Sequence, residues 1–265
     1  MPNETAKHTH PADSALLRGR VALVTGSSRG IGAAIAKRFA AAGALVGVHG
    51  RDAIACRNVT EEINNAGGKA ITLLGDATKL PDLIRIRETI EERLGPVDVL
   101  IANSGGGGPP PQPLQDVEET VWRATLEGNL TASFLTLKCF VPGMRERRRG
   151  TIVTIASAAA RKVYGSAPIP YRCAKAGVIA LTQSLAAQVG PDGVRVNCIA
   201  PETILTERNL ERIPAERQQA MVAEHPIRRL GTPDDVAEAA IFLASDASGW
   251  ITGVVLDVAG GAVLA

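Results

Sequence analysis

The chain has 265 residues, enough for one large α/β domain or two small ones. Hydrophobic residues make up 45% and aromatics only 3%, so the core has to be built from Ala, Val, Leu and Ile, as in a parallel sheet covered on both faces, and an aromatic-lined nucleic-acid surface is excluded. A formal net charge of +2 gives no strong pull toward nucleic acid or membrane, and Cys56, Cys139, Cys173 and Cys198 form no CxxC pair and read as small core residues of a reducing compartment.

The first sixteen residues, MPNETAKHTHPADSAL, are polar and lack the apolar run of a signal peptide. A disordered tail is expected over 1–16, ahead of one folded domain over 17–265. His8 and His10 fall in that tail, where two imidazoles without further ligands make a poor metal site, so no metal is expected. No apolar run reaches transmembrane length, which points to a soluble, cytoplasmic protein.

Beyond the tail, short apolar runs alternate with stretches of helical spacing. The runs are VALVT (21–25), LVGVH (45–49), AITLLG (70–75), VDVLIA (97–102), TIVTIA (151–156), VRVNCIA (194–200) and VVLDV (254–258). Strand, helix, strand, repeated, predicts parallel strands joined by right-handed crossovers in one doubly wound domain, with ligands at the carboxyl ends of the strands.

TGSSRGIG (25–32) follows the first run and opens a helix carrying Ile31, Ile35 and Phe39, which ends at Gly43. Gly26 lets the chain turn sharply, Gly30 lets a ligand approach the backbone and Gly32 lets the helix pack against the sheet. The amide groups of the helix start then favour a pyrophosphate. The spacing is GxxxGxG rather than GxGxxG, and no Gly-Lys-Ser/Thr follows.

The second run ends in VHGRD, with Gly50 in the place where an acidic residue would grip a ribose 2′-hydroxyl. Arg51 follows, and Arg29 lies in the glycine loop. Two guanidinium groups there suit a 2′-phosphate, which favours NADP(H); NAD(H) stays open through Asp52. Asp76 ends the third run. After the fourth come ANSG (102–105) and GGGGPPPQP (105–113), a flexible-then-stiff loop expected to border the cleft. RERRR (145–149), ahead of the fifth run, reads as a solvated helix end, or as a dock for an acidic partner such as an acyl carrier protein.

In YRCAK (171–175) the phenol of Tyr171 and the ammonium of Lys175 fall on one helix face, four positions apart. That helix continues through Ala174, Val178, Leu181 and Leu185 to near Gly190. The segment 206–229 reads as a helical lid, within a wider stretch of about 202–229; Leu210, Ile213 and Met221 face either an apolar substrate or the core. TPDD opens the last helix, carrying Val236, Ala240 and Leu243.

The glycine loop and Tyr171-x-x-x-Lys175 together resemble the short-chain dehydrogenase/reductase family, over nearly the whole chain from Arg18 on. Its Asn-Ala-Gly motif is similar to ANSG, its helix asparagine to Asn129, its serine to Ser157 and its proline turn to APETILT (200–206). RLGTPDDVA (229–237) and ITG (251–253) continue the match, and the chain most resembles the 3-oxoacyl-(acyl-carrier-protein) reductase branch. The resemblance implies a seven-stranded parallel sheet of order 3-2-1-4-5-6-7, NAD(P)-dependent oxidation or reduction of an alcohol/carbonyl pair, and a homotetramer. It implies Asn129, Ser157, Tyr171 and Lys175 as catalytic residues. For the cofactor it implies Gly26, Ser28, Arg29, Gly30, Ile31, Gly32, Arg51, Asp76, Ala77, Asn103, Ser104, Gly105, Pro201, Ile204 and Thr206, with Tyr171 and Lys175. The expected substrate is a small or carrier-bound carbonyl compound.

The chemistry of these residue types agrees. Carbonyl reduction needs a hydride from one side and a proton from the other. A phenol of pKa about 10 is an adequate acid and a poor base near neutrality. A unit positive charge at ~4 Å, in an effective dielectric of about 20, contributes about 4 kcal/mol, so a lowering of the Tyr171 pKa by about two to three units is within reach of Lys175, aided by the charged nicotinamide ring. Ser157 would donate to the substrate oxygen. Tyr164 is the competing phenol, rejected because Pro168 stands where a lysine would follow. Three departures stand out: Ala102 and Ser104 flank Asn103, Ala259 replaces a common aspartate, and Glu202 replaces the usual glycine after Pro201. If the family glycine uses a positive φ, Glu202 is expected to shift the turn or carry strain, and it also places a carboxylate near the nicotinamide. Rival readings are an NAD(H)-dependent secondary-alcohol dehydrogenase and a dinucleotide-binding regulatory or scaffold protein without turnover.

Overall fold

The computed structural model describes residues 16–108, 110–162 and 167–263. The expected tail, apart from Leu16, lies outside these residues, as do His8, His10 and Tyr164.

The apolar runs become β1 (Val21–Val24), β2 (Leu45–Gly50), β3 (Lys69–Leu74), β4 (Val99–Ala102), β5 (Gly150–Ile155), β6 (Val194–Pro201) and β7 (Val255–Val258). They pair in parallel as one sheet of order β3-β2-β1-β4-β5-β6-β7. Each predicted run meets its strand to within two residues. The runs are predominantly apolar because both faces of the sheet are covered. Ala22 and Val24 of β1 point to one face, Val21 and Leu23 to the other.

Helices α1 (Gly30–Ala41), α2 (Ala53–Asn65) and α9 (Pro233–Ala244) cover the first face through Ile35, Phe39, Val59, Ile63 and Val236. Helices α3 (Leu80–Arg93), α5 (Ala132–Glu146) and α6 (Ile169–Val189) cover the second through Leu83, Ile86, Phe140, Met144 and Val189. Burying each large side chain of this kind contributes about 1.5–3 kcal/mol. Helix α4 (Glu119–Leu126) runs into α5 through a π-helical turn, Glu127–Thr131. TPDD starts α9 as expected, with Thr232 as N-cap and a reciprocal capping box to Asp235.

Between β6 and α9 lie α7 (Glu207–Arg212) and α8 (Ala215–Glu224). The ends of this excursion meet: Ile204 pairs with Gly231, and Leu205 N–H donates to Gly231 O at 2.8 Å. No helix of the described residues is long and apolar enough to cross a membrane.

Candidate active site

The strand order reverses between β1 and β4, so their carboxyl ends diverge and open a crevice. Thr25 and Asn103 stitch its floor. Thr25 Oγ1 accepts from the backbone N–H of Asn103 and of Ser104, both at 3.0 Å, and Asn103 Nδ2 donates to the carbonyls of Thr25 (2.9 Å) and Gly26 (3.0 Å). The Asn103 side chain therefore braces the glycine loop from below. Gly26 has φ 64°, the left-handed region, and a Cβ on Gly32 would lie 2.6 Å from Asn103 Nδ2 and press on Gly26 O. Both positions exclude a side chain.

Two cavities share this crevice. One, of about 760 Å³, lies toward the ends of β2 and β3; the other, of about 900 Å³, lies toward β5, β6 and the lid. Gly26, Ser28, Arg29, Gly105, Gly106 and Arg208 border both. Every residue named from the sequence as a site residue lines one or the other. Ser28, Arg51, Asp76, Ala77, Ser104 and Asn129 are on the first. Gly30, Ile31, Gly32, Asn103, Ser157, Tyr171, Lys175, Pro201, Ile204 and Thr206 are on the second. An elongated groove of this kind, floored by glycine backbone at a helix start, fits a dinucleotide.

Tyr171 and Lys175 occupy the first turns of α6, beside the end of β5. Lys175 is buried and donates from Nζ to Ile155 O at 2.9 Å, with Nζ 5.8 Å from the centre of the Tyr171 ring. Burial lowers the Lys175 pKa to about 8. Burial also raises the Tyr171 phenol above its ordinary value, only partly opposed by a hydrogen bond with the Ser157 hydroxyl. Lys175 is not among the causes of this shift, its ammonium being turned toward Ile155 O; the expected lowering drew also on the charged nicotinamide ring. Ser157 follows β5 and accepts from Ala159 N–H at 3.2 Å, which fixes its oxygen beside Tyr171.

Asn129 sits, buried, in the π turn. Its Nδ2 donates to Thr125 O at 2.9 Å, a carbonyl the wider turn leaves to the side chain, and its Oδ1 accepts from Gly106 N–H at 3.2 Å. A poor helix former is tolerated where the helix itself departs from α geometry. Asn129 thereby ties α4–α5 to the glycine-rich loop after β4.

At the end of β2 both arginines already have partners. Arg29 meets Asp52 at 2.7 Å, and Arg51 lies 4.0 Å from Asp76. Asp52 also caps α2 by accepting from Ala55 N–H at 3.0 Å, and Asp76 accepts from Thr78 N–H and Oγ1–H, both at 2.9 Å. These bonds hold both carboxyls below the usual range. A Cβ at Gly50 would lie 2.8 Å from Cys56 Sγ, so a side chain in the acidic place would have to displace that thiol. Sequence reasoning missed His49. Its Nδ1 accepts from Gly26 N–H at 3.2 Å, and burial lowers its pKa to about 4. A lone histidine at the end of an apolar run carried no signal for this.

Glu202 carries no positive φ, so the expected strain is absent; among the described non-glycine residues only Arg148 has one, φ 51°. Its carboxylate is engaged by Thr203 and His225. The segment 206–229 places its apolar residues away from the cleft. Leu210 is 54% exposed, and Ile213 and Met221 are half-buried; none of the three borders the cavities, whereas Glu207, Arg208, Glu211 and Arg212 line the larger one. Helix α7 turns charge, rather than an apolar stripe, toward the cleft.

Residues 26–263 match the family model described as Enoyl-(Acyl carrier protein) reductase. The chain is 38% identical over 254 residues to the 7alpha-hydroxysteroid dehydrogenase of Escherichia coli (strain K12), covering 95% of this chain and 97% of that protein. It is 36% identical to the cyclohexanol dehydrogenase of Rhodococcus sp. (strain TK6), covering 94% and 98%. Among solved structures, a 3-oxoacyl-[acyl-carrier protein] reductase from Brucella melitensis with bound NAD superposes with a TM-score of 0.86 at 33% identity, over 94% of this chain and 95% of that one.

Proposed function

This chain belongs to the short-chain dehydrogenase/reductase family, near its 3-oxoacyl-(acyl-carrier-protein) reductase-like branch, and from that premise we propose that it reduces a carbonyl with NADPH. The observation that carries the reading is the convergence of Ser157, Tyr171 and Lys175 on one wall of a cavity continuous with the glycine loop. The nicotinamide cofactor supplies the hydride when bound. Tyr171 gives the proton from its hydroxyl to the carbonyl oxygen. Its raised pKa keeps that proton on the phenol at neutral pH, the state in which a reduction begins. Ser157 donates a hydrogen bond to the same oxygen as negative charge develops. Lys175, with a pKa of about 8, is mostly ammonium at neutrality; one N–H is committed to Ile155 O, leaving two for the cofactor ribose and the nascent phenolate. Asn129 holds the loop at Gly106 against this group.

The preference for NADPH rests on Arg29 and Arg51 at the first cavity and on a glycine, rather than an acidic residue, at position 50. NAD(H) is the second reading, favoured by the 2.7 Å pair that already holds Arg29 to Asp52. The deciding experiment follows consumption of NADPH and of NADH against β-ketoacyl thioesters, simple ketones and quinones. Arg51→Ala should weaken NADPH binding about tenfold or more and leave NADH binding within about twofold. Equal losses would retire the phosphate role. No turnover with any carbonyl would favour a dinucleotide-binding protein without catalysis. The four-subunit assembly expected of the family draws support from exposed Phe134 on α5 and Ile169 at the start of α6, and light scattering tests it.

A further inference from the structure

We propose that Glu202 and His225 form a shielded imidazolium–carboxylate pair that anchors α8 of the lid to the residue directly after β6, which itself borders the cleft. Its positioning role rests on the carbonyl-reductase reading; the pair itself does not. The donor–acceptor pattern carries the inference. His225 Nδ1 is 2.7 Å from Met221 O, which can only accept, so Nδ1 carries a hydrogen. Nε2 is 2.8 Å from Glu202 Oε2. A neutral imidazole with its hydrogen on Nδ1 would set a lone pair against the carboxylate. The arrangement is satisfied only by one additional proton, held between Nε2 and Oε2. Thr203 supplies two more donors to Glu202, its backbone N–H and, at 3.1 Å, its hydroxyl, which keep the carboxylate aimed at the ring.

The surroundings leave the pair to itself. The side chains of His225 and Glu202 are 4% and 13% exposed. They border a cavity of about 360 Å³ that lies behind the cleft, together with Arg229, Asp235 and Asp257. Arg229 is held by Asp235 at 2.7 Å, and Asp257 by Arg161 at 3.3 Å, so neither carboxylate is free to replace Glu202. Glu202 also borders the larger cleft cavity and so forms the partition between the two.

Position gives the pair its role. His225 is the C-cap of α8, while Glu202 directly follows β6. Helix α7 has its own anchor, through its Thr206 cap and through Asn209 Nδ2, which donates to Ile204 O at 2.8 Å. Helix α8 bonds within the lid, as in Gln218 Nε2 to Ile213 O at 2.8 Å. Among the described residues from 214 to 226, the His225–Glu202 bond is the side-chain link that joins α8 to the residue directly after β6. Removing either partner leaves a buried charge unmatched and loosens that end of α8, which Ile227 N–H, donating to Gly260 O at 3.0 Å, still ties to the segment after β7.

The test begins with the native protein. With ¹⁵N-labelled histidine at pH 7, His225, assigned by loss of its signal in His225→Gln, should carry protons on both ring nitrogens. In Glu202→Gln it should carry one. A bare Nε2 in the native protein would overturn the pair. Trypsin cleavage at Arg212 and Arg217 should quicken about tenfold in Glu202→Ala and in His225→Ala, and the double variant should be no faster than the faster single one. Native cleavage rates in both would overturn the lid role. With acetoacetyl-coenzyme A and NADPH, each single variant should raise KM about tenfold with kcat within about threefold. A fall in kcat at constant KM would sink the positioning role. If the native protein reduces no probe, the carbonyl-reductase reading fails, while the spectra and the proteolysis still decide the pair.

Discussion

Burial acts on Tyr171 and Lys175 in opposite directions, raising the one pKa and lowering the other toward about 8. For the proposed acid this favours the protonated phenol, so Tyr171→Phe should keep cofactor binding, read by fluorescence titration, while kcat falls by about 10² or more. Activity near that of the parent would place the proton donor elsewhere. His49 gives a prediction about stability. Its pKa falls from 6.5 to about 4 on folding, so the unfolded chain binds the extra proton between those values. The contribution of the neutral ring is fully present above about pH 6.5 and is lost as pH falls through about 4, in all about 3 kcal/mol. His49→Asn keeps an acceptor for Gly26 N–H and should flatten that part of the acid decline in urea unfolding. Residue types and spacing made Tyr171, Lys175 and Ser157 legible as a group. They did not reveal the sign of the Tyr171 shift, because desolvation depends on what the fold packs around the ring. Nor did they reveal His49 or the His225 partner of Glu202, since both pairings join distant segments.

At the scale of elements, the strands were legible because a two-faced parallel sheet favours short, predominantly apolar runs such as VALVT and VDVLIA between helical stretches. The start of α9 was legible from TPDD for a local reason, its capping box. The π turn at Glu127–Thr131 was not, since the sequence marks it only by an ill-suited asparagine that finds its partners at Thr125 and Gly106. The segment 206–229 was legible as helical, but the sequence leaves open whether Leu210, Ile213 and Met221 meet a substrate or the core, because an amphipathic pattern does not say which side meets a cleft. The glycine loop yields the sharpest prediction at this scale. A methyl at Gly32 would collide with Gly26 O and Asn103 Nδ2. Gly32→Ala should lower unfolding stability by about 1–3 kcal/mol and weaken dinucleotide binding about tenfold or more. Native values for both would show that the loop relaxes freely.

Across the whole molecule, the two ends of the sheet are occupied differently. The crevice lies at the carboxyl ends of the strands, whereas the basic run precedes β5 and so lies at the amino ends. Arg145 is bound to Asp192 at 2.6 Å, Arg149 to Asp98 at 3.3 Å, and Arg147 donates to Val97 O at 2.8 Å. Six residues of β5 at about 3.3 Å each put roughly 20 Å of sheet between that run and Ser157. A carrier protein docked there would face away from the proposed acid. Reversing Arg147 and Arg148 to glutamate should therefore leave KM for an acyl-carrier-protein substrate within about twofold; a selective rise would reinstate the docking role.

The meeting of Ile204 with Gly231 has a consequence for how such a chain diversifies. The intervening residues leave and re-enter the scaffold at almost one point, as in a compact surface loop. Mutation can lengthen, shorten or exchange that stretch without altering the span the framework must bridge, so new specificities can arise there while the glycine-floored crevice is inherited unchanged.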